Sequence, residues 1–451
     1  MEQNKSTVAL GTENVWRLLL QYAIPSVIAM TATSLYNITD SVFIGQGVGA
    51  LAISGLAITF PLMNLGAAFG SLVGVGASTL MSLRLGQKDY KTANRILGNV
   101  FVLNLILGIL YSAIVLTFLD PILQFFGASE DTLPYAHDYM VVISLGNVVT
   151  HMYLGLNALL RSIGEPRKAM TTTILSVIIN AILTPIFIYG LNLGIRGAAL
   201  ATVLAQTSML LWQIKIFSNK NNLIHLKKET FSLKRRIVLD SLAIGISPFS
   251  MNVAASMVVI IINQSLSRHG GDLAIGAFGI INRIIFLFAM VVMGLNQGMQ
   301  PIAGYNYGAG QTDRVTKVLS HTILLATGVM SLGFLMGELF PHVAVSIFTR
   351  EKELIDIAVV GLRIVYITGP IVGFQMVASN FFQSIGKPGK AIYLSLTRQV
   401  LFLLPCLLIF PSLFGVKGVW MSMPTADVLS SLNAGYLLFT EYKKTKKAVA
   451  L

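Results

Sequence analysis

Residues 161–169 read RSIGEPRKA, and residues 383–391 read QSIGKPGKA. Six of the nine positions are identical: in the first copy Ser162, Ile163, Gly164, Pro166, Lys168 and Ala169. Gly, Pro and charged residues in one short stretch mark a turn, and apolar runs flank both copies. The flanks repeat too. RLGQKDYKT (84–92) matches GAGQTDRVT (308–316), with Gly86, Gln87, Asp89 and Thr92 recurring, while GIRGA (194–198) answers GVKGV (415–419) and Pro25 answers Pro248. A chain that repeats at half its length is two copies of one unit, and this constrains the architecture before any local detail does.

Composition says what the unit is made of. Of the 451 residues, 54% are hydrophobic and 11% charged, against about 25% charged in soluble domains. Runs long enough to cross a bilayer, about 20 residues each, occupy 16–42, 50–82, 95–118, 136–160, 169–190, 194–217, 238–266, 272–303, 316–340, 355–383, 391–412 and 415–440. The first run follows Glu13 and Arg17 and exceeds a signal-peptide core, so it reads as a span. Pro25, Pro185 and Pro405 sit inside spans as candidate kinks.

The expected fold is therefore all-α and membrane-integral, with twelve transmembrane helices in two six-helix lobes. An even number of spans per copy gives both lobes the same topology, related by a pseudo-twofold axis along the membrane normal, as in many secondary transporters. The lobes span 1–217 and 237–451, and the polar segment 218–236 links them. Basic residues gather on one side: Lys5, Arg84, Lys88, Arg161, Arg167, Lys227, Arg314, Lys387, Lys390, Lys444, Lys446 and Lys447 among them. The other side holds only Arg196, Arg268, Arg350, Lys352 and Lys417, so both termini are expected in the cytoplasm. The net charge of +13 is thus an orientation signal rather than a nucleic-acid footprint.

Several chemistries lack their residues. No GxxxxGK[ST] cradle is present, the six histidines show no metal-ligand spacing, and Cys406 is the single cysteine. Neither an enzyme nor a cofactor is expected, and no structural metal; uphill transport must draw on an ion gradient.

The polar residues within spans are then informative. SLYNITDSVFIGQ (34–46) carries Asp40, the sole acid between Arg17 and Asp89. Charge in lipid is costly and marks function by default, although a solvated carboxylate at the outer interface is the alternative. Thr33, Tyr36 or Asn37, and Asp40 share a helix face, and Thr173, Ser176, Asn180 and Thr184 form a second stripe on the fifth span. Counting 1.5 Å per residue, Asn180 lies roughly 18 Å from one surface and Thr202, entering from the other, roughly 12 Å in, which puts them level. These positions, with Asp40, outline a cation or proton site; interhelical hydrogen-bonding glue is the other reading of Asn180 and Thr202. Asn37, Asn157, Ser176, Gln206, Met30 and Met63 are candidates for lining a substrate cavity, the methionines equally suited to core filling. Gly66, Gly70 and Gly74 allow a helix to approach the second span closely.

The second copy differs. It puts Asn263 at the place of Asp40, Phe402 at that of Asn180 and Asp427 at that of Gln206. Its buried charges are expected to be Arg283, Arg363, Arg398 and Asp427, and Arg398 and Asp427 come out nearly level, predicting a direct or short-network contact. That contact is either a structural ion pair or part of proton or substrate handling.

LYNITDSVFIGQGVGALAISGLA, RLGQKDYKTANRIL, GMQPIAGYNYGAGQ and the paired SIGxPxKA turns together resemble the prokaryotic MATE (multidrug and toxic compound extrusion) transporters over nearly the whole chain, and the DinF-type branch more than the NorM type. The resemblance implies two six-helix lobes around a V-shaped cavity in the bacterial inner membrane. It implies a monomer, surrounded by lipid, that exports amphipathic, often cationic compounds against entering H+ or Na+. Asp40 with Tyr36 matches the coupling acid of the DinF-type branch, Asn180 and Thr202 its further site positions, and Pro25 its helix-bending proline. Where that branch often has Asp in N-x-x-x-D-P, this chain has Thr184 before Pro185, leaving Asp40 as the sole acid. The NorM-type acids are absent around SMNVAASM and GPIVGFQMVAS. A flippase for lipids or lipid-linked oligosaccharides is the competing implication, resting on Arg283, Arg363 and Arg398.

Overall fold

The computed structural model describes residues 2–449, with side chains except at residues 2–6, 50, 272 and 444–449. Lys5, Lys444, Lys446 and Lys447, counted above for orientation, lie outside the described side chains. Among the described residues there is no strand. Ten helices are long and apolar enough to cross a membrane, and an eleventh crossing is a bent pair, Lys352–Tyr366 and Gly369–Ser384, angled at 55°. The remaining long helix, Val416–Val449, covers the expected twelfth span, 415–440, but is too polar to count among these. The first six spans are Val15–Gly47, Ala50–Gly86, Tyr90–Thr117, Leu133–Ser162, Pro166–Pro185 and Gly194–Ser218. The seventh and eighth run Arg235–Gly271 and Leu273–Gly308, the ninth Thr312–Leu339, and the eleventh Pro388–Phe414.

The repeat is visible in the backbone. Gly164 and Gly386, 222 residues apart, both take positive φ (95° and 70°) at the SIGxPxKA turns. Gly49 and Gly271 do the same with the same separation. The separation also corrects two sequence pairings. Asp89 (φ −86°, ψ 71°) and Gln311 (φ −85°, ψ 70°) open equivalent helices, and Lys88 and Gly310 share positive φ just before them. The RLGQKDYKT match is therefore two residues out of step, because identity scoring followed Gly-Gln while the turn is set by the left-handed position. Carried back from Gly49 and Gly271, the same register pairs buried Asp40 and Ile44 with buried Ile262 and Leu266. The counterpart of Asp40 is Ile262 rather than Asn263.

Of the three prolines, Pro25 leaves the first span helical from Val15 to Gly47. Pro185 is followed by a π-helical turn, Ile186–Gly190, and Pro405 comes just after another, Thr397–Leu403. A proline cannot donate to the carbonyl one turn back, and a wider turn is one way the helix absorbs the loss.

Close packing divides the chain into two compact units, Met1–Glu13, Ile28–Phe249 and Gly304–Ala309 against Asn14–Val27, Ser250–Ala303 and Gly310–Leu451. Glycine contacts explain why the boundaries fall inside helices. In the first unit a Cβ at Gly76 would lie 1.9 Å from the Ser241 carbonyl oxygen, and one at Gly308 2.2 Å from that of Leu83. These approaches hold the start of the seventh span and the end of the eighth against the second. In the second unit Gly294 and Gly298 admit the backbone of Val27 and Ala23, and the Trp16 ring meets His321 edge-on at 5.0 Å. Gly66, Gly70 and Gly74 take the fourth span, Gly74 against Gly155. The 218–236 segment is strapped to the third span by Asn94, bonded to Leu223 and His225, and by Asn99, bonded to Thr230, Ser232 and Lys234.

Candidate functional site

Three helices of the first unit meet at Asp40. Tyr36 and Asp40 are one turn apart on the first span, Asn180 and Thr184 one turn apart on the fifth, and Thr202 comes from the sixth. Thr202 Oγ1 lies 3.2 Å from the Ala198 carbonyl and 2.8 Å from Tyr36 Oη, a pair in which either hydroxyl can donate. Asn180 Nδ2 donates to it at 3.1 Å. Because the Asn180 amine points to Thr202, its carbonyl Oδ1 faces Thr184. The Thr184 hydroxyl lies 3.3 Å from both Asn180 Oδ1 and Asp40 Oδ1. One proton serves two acceptors at a distance where hydrogen bonds are weak.

Asp40 is only 5% exposed, and among the described residues no Lys, Arg or His pairs with it. Burying a carboxylate is costly unless a counter-charge accompanies it. The cheapest remedies are a proton on the carboxylate or a small cation among the oxygens of Asp40, Asn180 and Thr184. These are all hard oxygen donors with a single negative charge. Among the described residues no group of three His, Cys, Asp or Glu gathers anywhere to hold a metal ion. Tyr139, from the fourth span, is fully buried and lies close to Tyr36 and Asp40. Sequence reasoning missed it because nothing in HDYMVV distinguishes a site tyrosine from a core one.

The proposed cavity residues fall elsewhere. Asn157 is buried and fully engaged: Nδ2 bonds the Ala169 carbonyl and Thr172 Oγ1, each at 2.9 Å, and Oδ1 accepts from Arg161 Nη1 at 2.5 Å. Gln206 accepts from Thr150 at 2.6 Å. Both tie helices together; the Asn157 amide is fully used, whereas among the described residues the Gln206 Nε2 has no partner. Ser176 is buried, Met63 packs in the core with its sulfur facing Thr59, Met30 is half-buried and Asn37 is exposed. Amide and hydroxyl spacing alone could not separate a lining residue from glue.

The second unit holds two buried carboxylates, Glu441, paired with Lys387 and Lys390, and Asp427. Arg398 Nε donates to Asp427 Oδ1 at 2.7 Å, and Thr368 Oγ1 donates to Oδ2 at 3.2 Å. Thr368 sits at the break of the bent tenth span and Arg398 in the π-helical turn of the eleventh. Arg283 and Arg363 do not join them. Both are exposed, Arg363 reaching the Glu338 carbonyl, which corrects their reading as buried charges.

Comparison with known proteins agrees with this architecture. A Staphylococcus haemolyticus protein, Multidrug export protein MepA, is 27% identical over 430 residues, covering 95% of this chain and 94% of its own. Its Staphylococcus aureus namesake (strain NCTC 8325 / PS 47) is also 27% identical, covering 94% of each. Among solved structures, a MATE in the bent conformation superposes with a TM-score of 0.94 at 23% identity over 99% of both chains. An outward-facing multidrug resistance MATE transporter of the MOP superfamily gives 0.92 at 23%, over 97% of this chain and 98% of that one. These likenesses show the fold, twelve helices in two six-helix lobes. The MatE family model matches residues 25–186 and again 248–408, once in each half of the repeat, and the chain belongs to this family of membrane transporters, which are not enzymes.

Proposed function

We propose that this transporter is a cation-coupled exporter of amphipathic, often cationic compounds, and that Asp40 is its coupling residue. The observation that carries the reading is a buried carboxylate that has, among the described residues, one weak hydroxyl partner and no counter-charge. The names of its MepA relatives support multidrug export. In this account Asp40 takes up H+ or Na+, Thr184 turns its single proton between Asp40 and Asn180, and Thr202 relays the change to Tyr36. Occupancy by the cation and by the exported compound oppose one another, and that coupling is reciprocal. The functional halves are 1–217 and 237–451, acting as a monomer in the lipid of the bacterial inner membrane with both termini cytoplasmic.

The flippase reading asks for several cations at one place to hold a pyrophosphate. Exposed Arg283 and Arg363, unlinked to Arg398, do not favour it. The test is drug accumulation in inverted vesicles with pH and sodium gradients imposed separately. Wild type should respond to one gradient, and Asp40→Asn to neither, at normal expression. Full gradient-driven accumulation by Asp40→Asn would sink the reading.

A further inference from the structure

We propose that Arg398 is an oxyanion-binding residue that recognises the carboxylate of zwitterionic transported compounds. Two breaks in helix geometry converge on it. The π-helical turn Thr397–Leu403 carries Arg398, and Thr368, at the break of the tenth span, bonds the same carboxylate that Arg398 bonds. Wide turns and broken helices occur in membranes where they serve a site or are covered by protein.

The guanidinium is only half used. Its Nε is taken by Asp427 Oδ1 at 2.7 Å, and among the described residues Nη1 and Nη2 have no protein partner. The side chain is 26% exposed while that of Asp427 is 5% exposed, so the open end of the fork is the accessible end. Asp427, fixed on its other oxygen by Thr368, aims the guanidinium. The free Nη1–Nη2 edge matches the two oxygens of a carboxylate or one face of a phosphate. Asp427 also balances the charge of Arg398, so a bound anion is held without the grip of a lone cation, which suits a site that must release its ligand.

The oxyanion has two sources, a transported solute or a lipid headgroup, and the solute is assigned here. This rests on the chain exporting small amphiphiles. Purified protein is reconstituted in phosphatidylcholine vesicles, with and without phosphatidylglycerol, and given a quinolone bearing both carboxylate and ammonium, or its methyl ester, which keeps only the cation. Arg398→Lys keeps the ion pair and loses the fork. It should slow transport of the zwitterion about tenfold or more, the size of a lost charged hydrogen bond, and leave the ester unchanged. The charge-neutral pair Arg398→Gln with Asp427→Asn should do the same, and guards against a folding defect from one unpaired charge. Equal loss for both compounds, or for neither, would overturn the proposal. Zwitterion selectivity that appears only with phosphatidylglycerol would give the site to lipid and overturn the solute assignment. A wild type that moves neither compound would instead refute the export reading beneath it.

Discussion

Asp40 and Asp427 are both buried carboxylates within spans, one in each compact unit, and their surroundings are opposite. Asp427 has an arginine on one oxygen and a threonine hydroxyl on the other. Asp40 has a single shared threonine hydroxyl. A carboxylate neutralised by its own protein has no need of a mobile cation, whereas one left bare must take a cation from outside or remain costly. On the reading proposed here, the contrast separates an acid that couples from an acid that positions.

Breaking the bare side of the comparison has the largest expected effect. Asp40→Asn removes the only charge of its cluster and should abolish gradient-driven efflux while leaving the fold intact, since an amide can still accept from Thr184. On the compensated side the order reverses. Asp427→Ala strands Arg398 and should lower stability by about 3–5 kcal/mol, read as a loss of thermal stability in detergent. The paired Arg398→Gln, Asp427→Asn variant should recover most of it. If both behaved alike, the pair would not be an ion pair in energetic terms.

Smaller changes sharpen the contrast. Thr184→Val removes the hydroxyl shared by Asp40 and Asn180 and should weaken cation dependence by roughly 1–3 kcal/mol, seen as a shift in the gradient needed for half-maximal transport. Thr368→Val deletes one neutral donor to Asp427, and a loss of about 1 kcal/mol in stability without change in ion dependence is expected. An altered ion dependence there would assign coupling to the second unit as well.

Much of this was legible in the residues. Bilayer-length apolar runs and the SIGxPxKA repeat carry the span count and topology, because hydrophobic length and turn chemistry are local properties. Level counting along straight helices brought Asn180 to Thr202 and Arg398 to Asp427, since 1.5 Å per residue holds over the few turns involved. It could not say which face each side chain presents. Asn157 thus looked like a cavity residue, and its amide is used up in interhelical ties. Tyr139 and Thr368 were invisible for a different reason: their roles depend on helices distant in sequence. The register of Asp40 against the second copy went astray by one residue because proline was matched to proline, while the turns at Gly49 and Gly271 set the true phase.

The most direct test of the central claim is solute transport by purified wild type and Asp40→Asn in proteoliposomes under a pH gradient alone and a sodium gradient alone. The account predicts that one of the two gradients drives wild-type transport and that neither drives the variant, although the variant still binds and exchanges solute. Gradient-driven transport by Asp40→Asn at the wild-type rate would contradict it.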